Sequence, residues 1–209
     1  MERRVVVTGL GAITPIGNNV EELWESIKNK KCGIDEITLF DTEKSKVKIA
    51  AEVKGFNPEE HFDRKMAKRL DRYSHFAIIA AREAMQDSGI DMEKIDKTRF
   101  GIGVSSGIGG LKAMEDNNET LITKGPDRVS PMFIPMTIGN MGAGNVSIEI
   151  GAQGESFDMV TACASATHTI GEGYRIIKHG YQDLMLVRRS RSKHYSTWNC
   201  RICQYESII

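Results

Sequence analysis

The 209-residue chain is long enough to bury a substantial core, and 40% hydrophobic with 27% charged residues excludes a disordered polymer. Its 28 Lys and Arg are balanced by 28 Asp and Glu, so no global charge field draws it to nucleic acid or an anionic membrane, and any electrostatic partner site must be local. No apolar run has the length of a membrane helix, and the stretch at residues 5–7 is too short for a signal-peptide core. Four cysteines without a secretory signal point to free thiols in a reducing cytoplasm.

In chain order, the β-branched run at residues 4–8, closed by Gly9-Leu10-Gly11, reads as a buried strand entering a glycine turn. Asn18 and Asn19 can cap a helix that places Val20, Leu23, Trp24 and Ile27 at helical spacing, with Gly33 beyond its end. Residues 47–53 read as a short strand. A long helix is expected over 63–87, with Leu70, Tyr73, Ala77, Ala81 and Ala84 along one face and Gly89 as its stop. Residues 99–105 form a further buried strand, and a polar exposed stretch follows at 116–127. The Gly- and Ala-rich segment 135–150 reads as a helix against which another element packs closely. A strand at 156–161, a helix at 164–178 ended by Gly180, and a strand beginning at 184–187 complete the pattern. Such alternation means an α/β fold, with a mixed sheet covered by helices.

From Arg188 the character changes. A basic polar run, Arg188 to His194, cuts into the last strand, and Trp198 to Ile208 has neither helical nor strand periodicity. Back-translating that second segment and shifting the frame by one nucleotide permits a small-residue helical sequence beginning Gly-Ile-Ala-Gly-Phe. The expectation is one domain over 1–187 and an aberrant tail over 188–209, produced by a frameshift near Val187.

The motif Thr161-Ala162-Cys163-Ala164-Ser165-Ala166-Thr167 puts a cysteine between a strand and a helix, among small residues. The free N–H groups and dipole of a helix N-terminus favour a thiolate, and small neighbours leave room for a thioester. Taken alone, an isolated cysteine is more often a buried structural thiol. Three other signals fail. Gly9-Leu10-Gly11 has Thr14 where a dinucleotide fingerprint needs its third glycine, and residues 103–110 contain no Gly-Lys-Ser/Thr. Cys200 and Cys203, near His194, make only half a zinc site, inside the suspect tail.

The nucleophile region, Phe157 to Ala166 followed by Ile176 to Asp183, resembles that of the β-ketoacyl-(acyl carrier protein) synthases. Val5 to Gly17, Val104 to Gly110 and Ser130 to Pro135 match the same family in order and spacing, closest to its elongating type II branch. The resemblance covers residues 1–187 and implies the first half of a thiolase-like αβαβα sandwich. It implies fatty-acid chain elongation by a decarboxylating Claisen condensation, with Cys163 as the acylated nucleophile and no cofactor beyond carrier-bound phosphopantetheine. It makes Ile108 a gate at the acyl pocket and places Phe133 in that pocket near a homodimer interface; plain core packing is the alternative for both. Lys65, Lys68 and Arg69 fall where the family docks its acidic acyl carrier protein, although such a cluster is ordinarily a solvated helix face. His168 is read as structural, on a helix that the family keeps largely buried, with lining of the acyl-binding region as the alternative. The family's two catalytic histidines, its nearby lysine and the second oxyanion-hole donor have no counterpart here. The polypeptide is therefore expected to be poorly soluble and inactive in condensation. The other class of reading is a non-catalytic fragment that pairs with a full-length synthase.

Overall fold

A computed structural model of the chain describes residues 3–189. In chain order these form α1 (Val20–Lys28), β1 (Ile34–Glu36), β2 (Ile49–Ala51), α2 (Arg64–Arg69), α3 (Arg72–Ser88), β3 (Phe100–Ser105), α4 (Leu111–Lys124), α5 (Phe133–Thr137), α6 (Met141–Ile150), β4 (Ser156–Phe157), α7 (Ser165–Lys178) and β5 (Leu184–Arg189). β1 and β2 pair antiparallel as a separate ribbon, while β3 lies between β4 and β5 in a parallel sheet. Ile102 stands opposite Ser156 on one side and Leu186 on the other.

Every residue of β3 is buried, as a central parallel strand requires. Its two faces meet different helices, because side chains alternate along a strand. Phe100, Ile102 and Val104 join Ala77, Ile78 and Ala81 of α3 and Ala143 and Val146 of α6 in the main core. Burying a side chain the size of Ile or Val contributes roughly 2 kcal/mol. Gly103 and Ser105 face α7 instead. A Cβ on Gly103 would lie 2.9 Å from Thr169 Cγ2, so the strand needs glycine there for α7 to approach. Helices thus cover both faces of the sheet. Among the described residues no helix is long and apolar enough to cross a membrane.

The structure departs from the sequence reading at several elements. Residues 4–8 are in no strand, and Val6 and Val7 are 55% and 66% exposed. The segment just after them is tied to α3 by side chains rather than to the sheet by its backbone. Leu10 N–H donates to Asp87 Oδ2 at 2.8 Å and Ala12 N–H to Glu83 Oε2 at 2.7 Å. Val5 to Thr8 face β5, α3 and α7 across a cleft of about 230 Å³, so no ladder forms. The single helix expected over 63–87 is broken at Leu70 and Asp71. Asp63 caps α2 and Asp71 caps α3, each carboxylate accepting from the N–H groups of its own first turn. Gly89, at φ +63°, ends α3 as expected.

The polar stretch after residue 116 is the outer part of α4, and the helix expected over 135–150 is two, α5 and α6. The strand expected at 156–161 is only the pair Ser156–Phe157. β5 runs on to Arg189, two residues beyond Val187, and Arg188 is buried, its Nη1 donating to Phe76 O. The remainder of the tail, with Cys200 and Cys203, lies outside the described residues.

Candidate active site

The chain leaves β4 and turns sharply through residues 161–164 into α7. Ala162 takes φ +50°, a left-handed conformation that costs an alanine about 1–2 kcal/mol. Cys163 follows in a 3₁₀ turn (Ala162–Ala164), exposed, immediately before the first residue of α7. Ser165, fully buried, ties the turn shut. Its Oγ accepts the Thr161 N–H at 2.9 Å and donates to the Ala162 carbonyl at 2.8 Å, while Ala164 N–H donates to Thr161 O at 3.0 Å. Hydrogen bonds of this kind are worth about 1 kcal/mol each, enough to offset the conformational cost at Ala162. One turn further on, Thr169 Oγ1 donates to Ser165 O at 2.9 Å, and Ser105 Oγ, at the end of β3, reaches the same carbonyl at 3.2 Å. The turn that carries Cys163 is therefore bolted to the central strand.

The loop after β3 lies alongside. A Cβ on Gly107 would come 3.5 Å from Ala162 O, which brings the loop that carries Ile108 against the cysteine turn. Ile108 is half-buried. The loop is held by Asp158, whose Oδ1 accepts the Ser106 N–H at 3.0 Å; its partial burial raises the pKa of that carboxyl. Gly109, at φ +83°, makes the tight return, and Gly110 N–H donates to Thr137 O at 2.9 Å. Phe133, the first residue of α5, is half-buried and lines a separate cavity of about 780 Å³ with Leu39, Phe40, Leu111 and Val129. That cavity includes neither Cys163 nor Ile108.

Lys65, Lys68 and Arg69 are exposed on α2, and the ion pairs among the described residues lie elsewhere. Lys65 and Arg69 border a cleft of about 330 Å³ whose other wall contains Met132, Pro135 and Met141, close in sequence to Phe133. His168 is exposed among the described residues, which departs from the packed, structural reading and leaves the alternative place at the acyl-binding region. The buried face of α7 is Ser165, Thr169, Gly173 and Ile176, and the next position round from Thr169 points away from the sheet. Tyr174, on the same outward side, is 47% exposed.

Sequence reasoning missed Ser165 and Asp71. The spacing of Thr161 and Ser165 across the cysteine was legible, but an alanine gives no sign of a left-handed backbone. Asp71 is 4% exposed and serves two helices: Oδ1 accepts the Tyr73 N–H at 3.3 Å and Oδ2 the Ala113 N–H of α4 at 3.1 Å. Burial pushes its carboxyl pKa up, against those hydrogen bonds.

Residues 2–188 match the family model described as "Beta-ketoacyl synthase, N-terminal domain". The chain is 47% identical over 185 residues to a 3-oxoacyl-[acyl-carrier-protein] synthase 2 of Staphylococcus aureus (strain COL), a span that is 88% of this chain and 45% of the relative. It is 42% identical over 185 residues to the enzyme of the same description from a Synechocystis species, again 88% of this chain and 44% of the relative. The chain thus spans somewhat less than half the length of these curated relatives. Among solved structures, the ishigamide ketosynthase/chain length factor superposes with TM-score 0.85 at 27% identity, covering 92% of this chain and 48% of that one. A type II polyketide synthase ketosynthase, solved in complex with its acyl-carrier protein, superposes with TM-score 0.80 at 26% identity, covering 92% and 52%.

Proposed function

The chain belongs to the β-ketoacyl synthase family, and we propose that it carries the acyl-transfer half of a decarboxylating condensation that elongates fatty acyl chains. The observation that carries this reading is the placement of Cys163: exposed, on a turn held in a left-handed conformation, at the head of a helix bolted to the central strand. The Cys163 thiolate attacks the carbonyl carbon of an acyl thioester. The C–S bond to the enzyme forms, the tetrahedral oxyanion collapses, and the carrier thiolate leaves and takes up a proton. The backbone N–H of Cys163 itself is the available stabiliser of that oxyanion.

Ile108 then gates the acyl chain, while Phe133, in its separate cavity, lies near a homodimer contact. Lys65, Lys68 and Arg69 receive an acidic acyl carrier protein, with the cleft beside Lys65 and Arg69 leading its phosphopantetheine inward. A ketosynthase neighbour solved with its acyl-carrier protein supports that partner class. The setting is the cytoplasm, and no cofactor is needed beyond the carrier's own arm.

The second half-reaction removes carbon dioxide from a malonyl thioester and adds its carbanion to the acyl-enzyme. It needs donors for an enolate-like charge, which the family resemblance assigns to histidines with no counterpart in residues 1–209. Acyl transfer to Cys163 is the step expected of these residues by themselves, and the condensation step depends on those donors. The assay supplies an acyl thioester and malonyl-acyl carrier protein and follows both the acyl-enzyme and the extended product by mass spectrometry. Robust elongation by the purified 209-residue chain would refute this division of labour. If Cys163 is never acylated while the chain co-purifies with a full-length synthase, the non-catalytic pairing role replaces it.

A further inference from the structure

We propose that Ser165 is a positioning residue for Cys163, its hydroxyl setting the reactive geometry of the thiol without touching substrate; this rests on the reading of Cys163 as the nucleophile. The hydroxyl is fully buried and spends both its hydrogen-bonding capacities on the two residues that precede the cysteine. It accepts from the Thr161 N–H at 2.9 Å and donates to Ala162 O at 2.8 Å, so it spans the one non-glycine residue of the turn that is forced to positive φ. Without those bonds Ala162 has reason to relax to negative φ, and the backbone at Cys163 would rotate with it.

The carbonyl of the same residue is fixed from the other side by Thr169 and Ser105. Ser165 therefore has two separable links. Its side chain reaches the cysteine turn, and its main chain reaches the sheet. A merely structural hydroxyl would matter in proportion to the buried bonds it makes, whichever side it served. The positioning role requires instead that only the link to the turn governs Cys163. Thr169 is the natural control, being equally buried on the same helix and bonded to Ser165 but not to the turn.

The test measures, on the full chain, the rate at which iodoacetamide alkylates Cys163, resolved from Cys32, Cys200 and Cys203 by peptide mass. Ser165→Ala is expected to slow alkylation of Cys163 about tenfold, the equivalent of losing one or two hydrogen bonds. Thr169→Val should leave that rate within about twofold while costing similar thermal stability, and Ser165→Thr should recover much of the loss. An unchanged or faster rate in Ser165→Ala, or an equal loss in Thr169→Val, would overturn the proposal.

Should Ser165→Ala fail to fold, hydrogen exchange on the unaltered chain decides. The Thr161 amide should exchange at least about tenfold more slowly than an open amide, although the residue is exposed, and free exchange overturns the clamp. Failure of the functional reading shows separately, as an unaltered chain whose Cys163 takes no acyl group from a thioester. The alkylation and exchange results stand or fall without it.

Discussion

Lowering the pH from 7 to 5 should destabilise the fold through His75 in particular. His75 is 4% exposed, with its ring 5.1 Å from Phe62 and 6.1 Å from Phe56. Nε2 is 3.0 Å from Ala67 O, and Nδ1 is buried without a hydrogen-bond partner among the described residues. Burial, reinforced by the nearby charges of Arg72 and His61, holds its pKa at about 4 against 6.5 for the free side chain, and the Ala67 bond only partly opposes this. The depressed value means the unfolded chain binds the proton more readily, so stability is lost as pH falls from 6.5 towards 4. The full effect of such a shift is about 3 kcal/mol, and about 2 kcal/mol of it falls between pH 7 and pH 5. For a fold of this size that is about 4–8 °C in Tm. Asp71 and Asp158, both raised mainly by burial, work in the opposite direction: each binds its proton more readily in the folded chain and so softens the acid loss. That contribution is common to wild type and a His75→Phe variant. The assay is thermal unfolding of both at pH 7 and pH 5. Wild type should lose about 4–8 °C more than His75→Phe over that interval. Equal losses would refute the assignment of the acid sensitivity to His75.

Two further outcomes follow from the same geometry. Asp71→Ala strips the N-cap of α3 and leaves the Ala113 N–H of α4 without its partner, so it should cost about 2–3 kcal/mol; Asp71→Asn, which keeps one acceptor, should cost less, and denaturant titration separates the two. Replacing Lys65, Lys68 and Arg69 together by Glu should weaken acylation from acyl carrier protein at least about tenfold and reduce its salt dependence; acylation from a small pantetheine thioester should hold within about twofold. Equal losses with both donors would remove the docking role from α2.

Where local pattern and packing agreed, the sequence was readable. β3 and α7 form almost at the expected residues: Ile102 and Val104 are buried in the central strand, and Gly180 follows just beyond the end of α7. Residues 4–8 carried an equally strong strand pattern and form none, since a strand also needs a neighbour and the nearest edge lies across a cleft. The break at Asp71 was hidden because an aspartate in a helical stretch looks like its solvent face; here it is buried and caps two helices, one of them contributed from 40 residues on. At the site, Cys163 stood out through its small neighbours. Its clamp, Ser165, did not, because what makes it matter is the backbone angle at Ala162. The exposure of His168 follows from which face of α7 meets Gly103 and Ser105, and only the assembled layers reveal that.

The central claim is that Cys163 accepts an acyl group. The most direct measurement incubates the purified chain and its Cys163→Ser variant with an acyl thioester, then maps the adduct by tryptic peptide mass. One acyl group on the Cys163 peptide of the wild type, released by hydroxylamine and absent at that position in the variant, is the expected result. An adduct confined to Cys32 or another side chain, or none on Cys163 at substrate levels that fully acylate a known β-ketoacyl synthase, would contradict it.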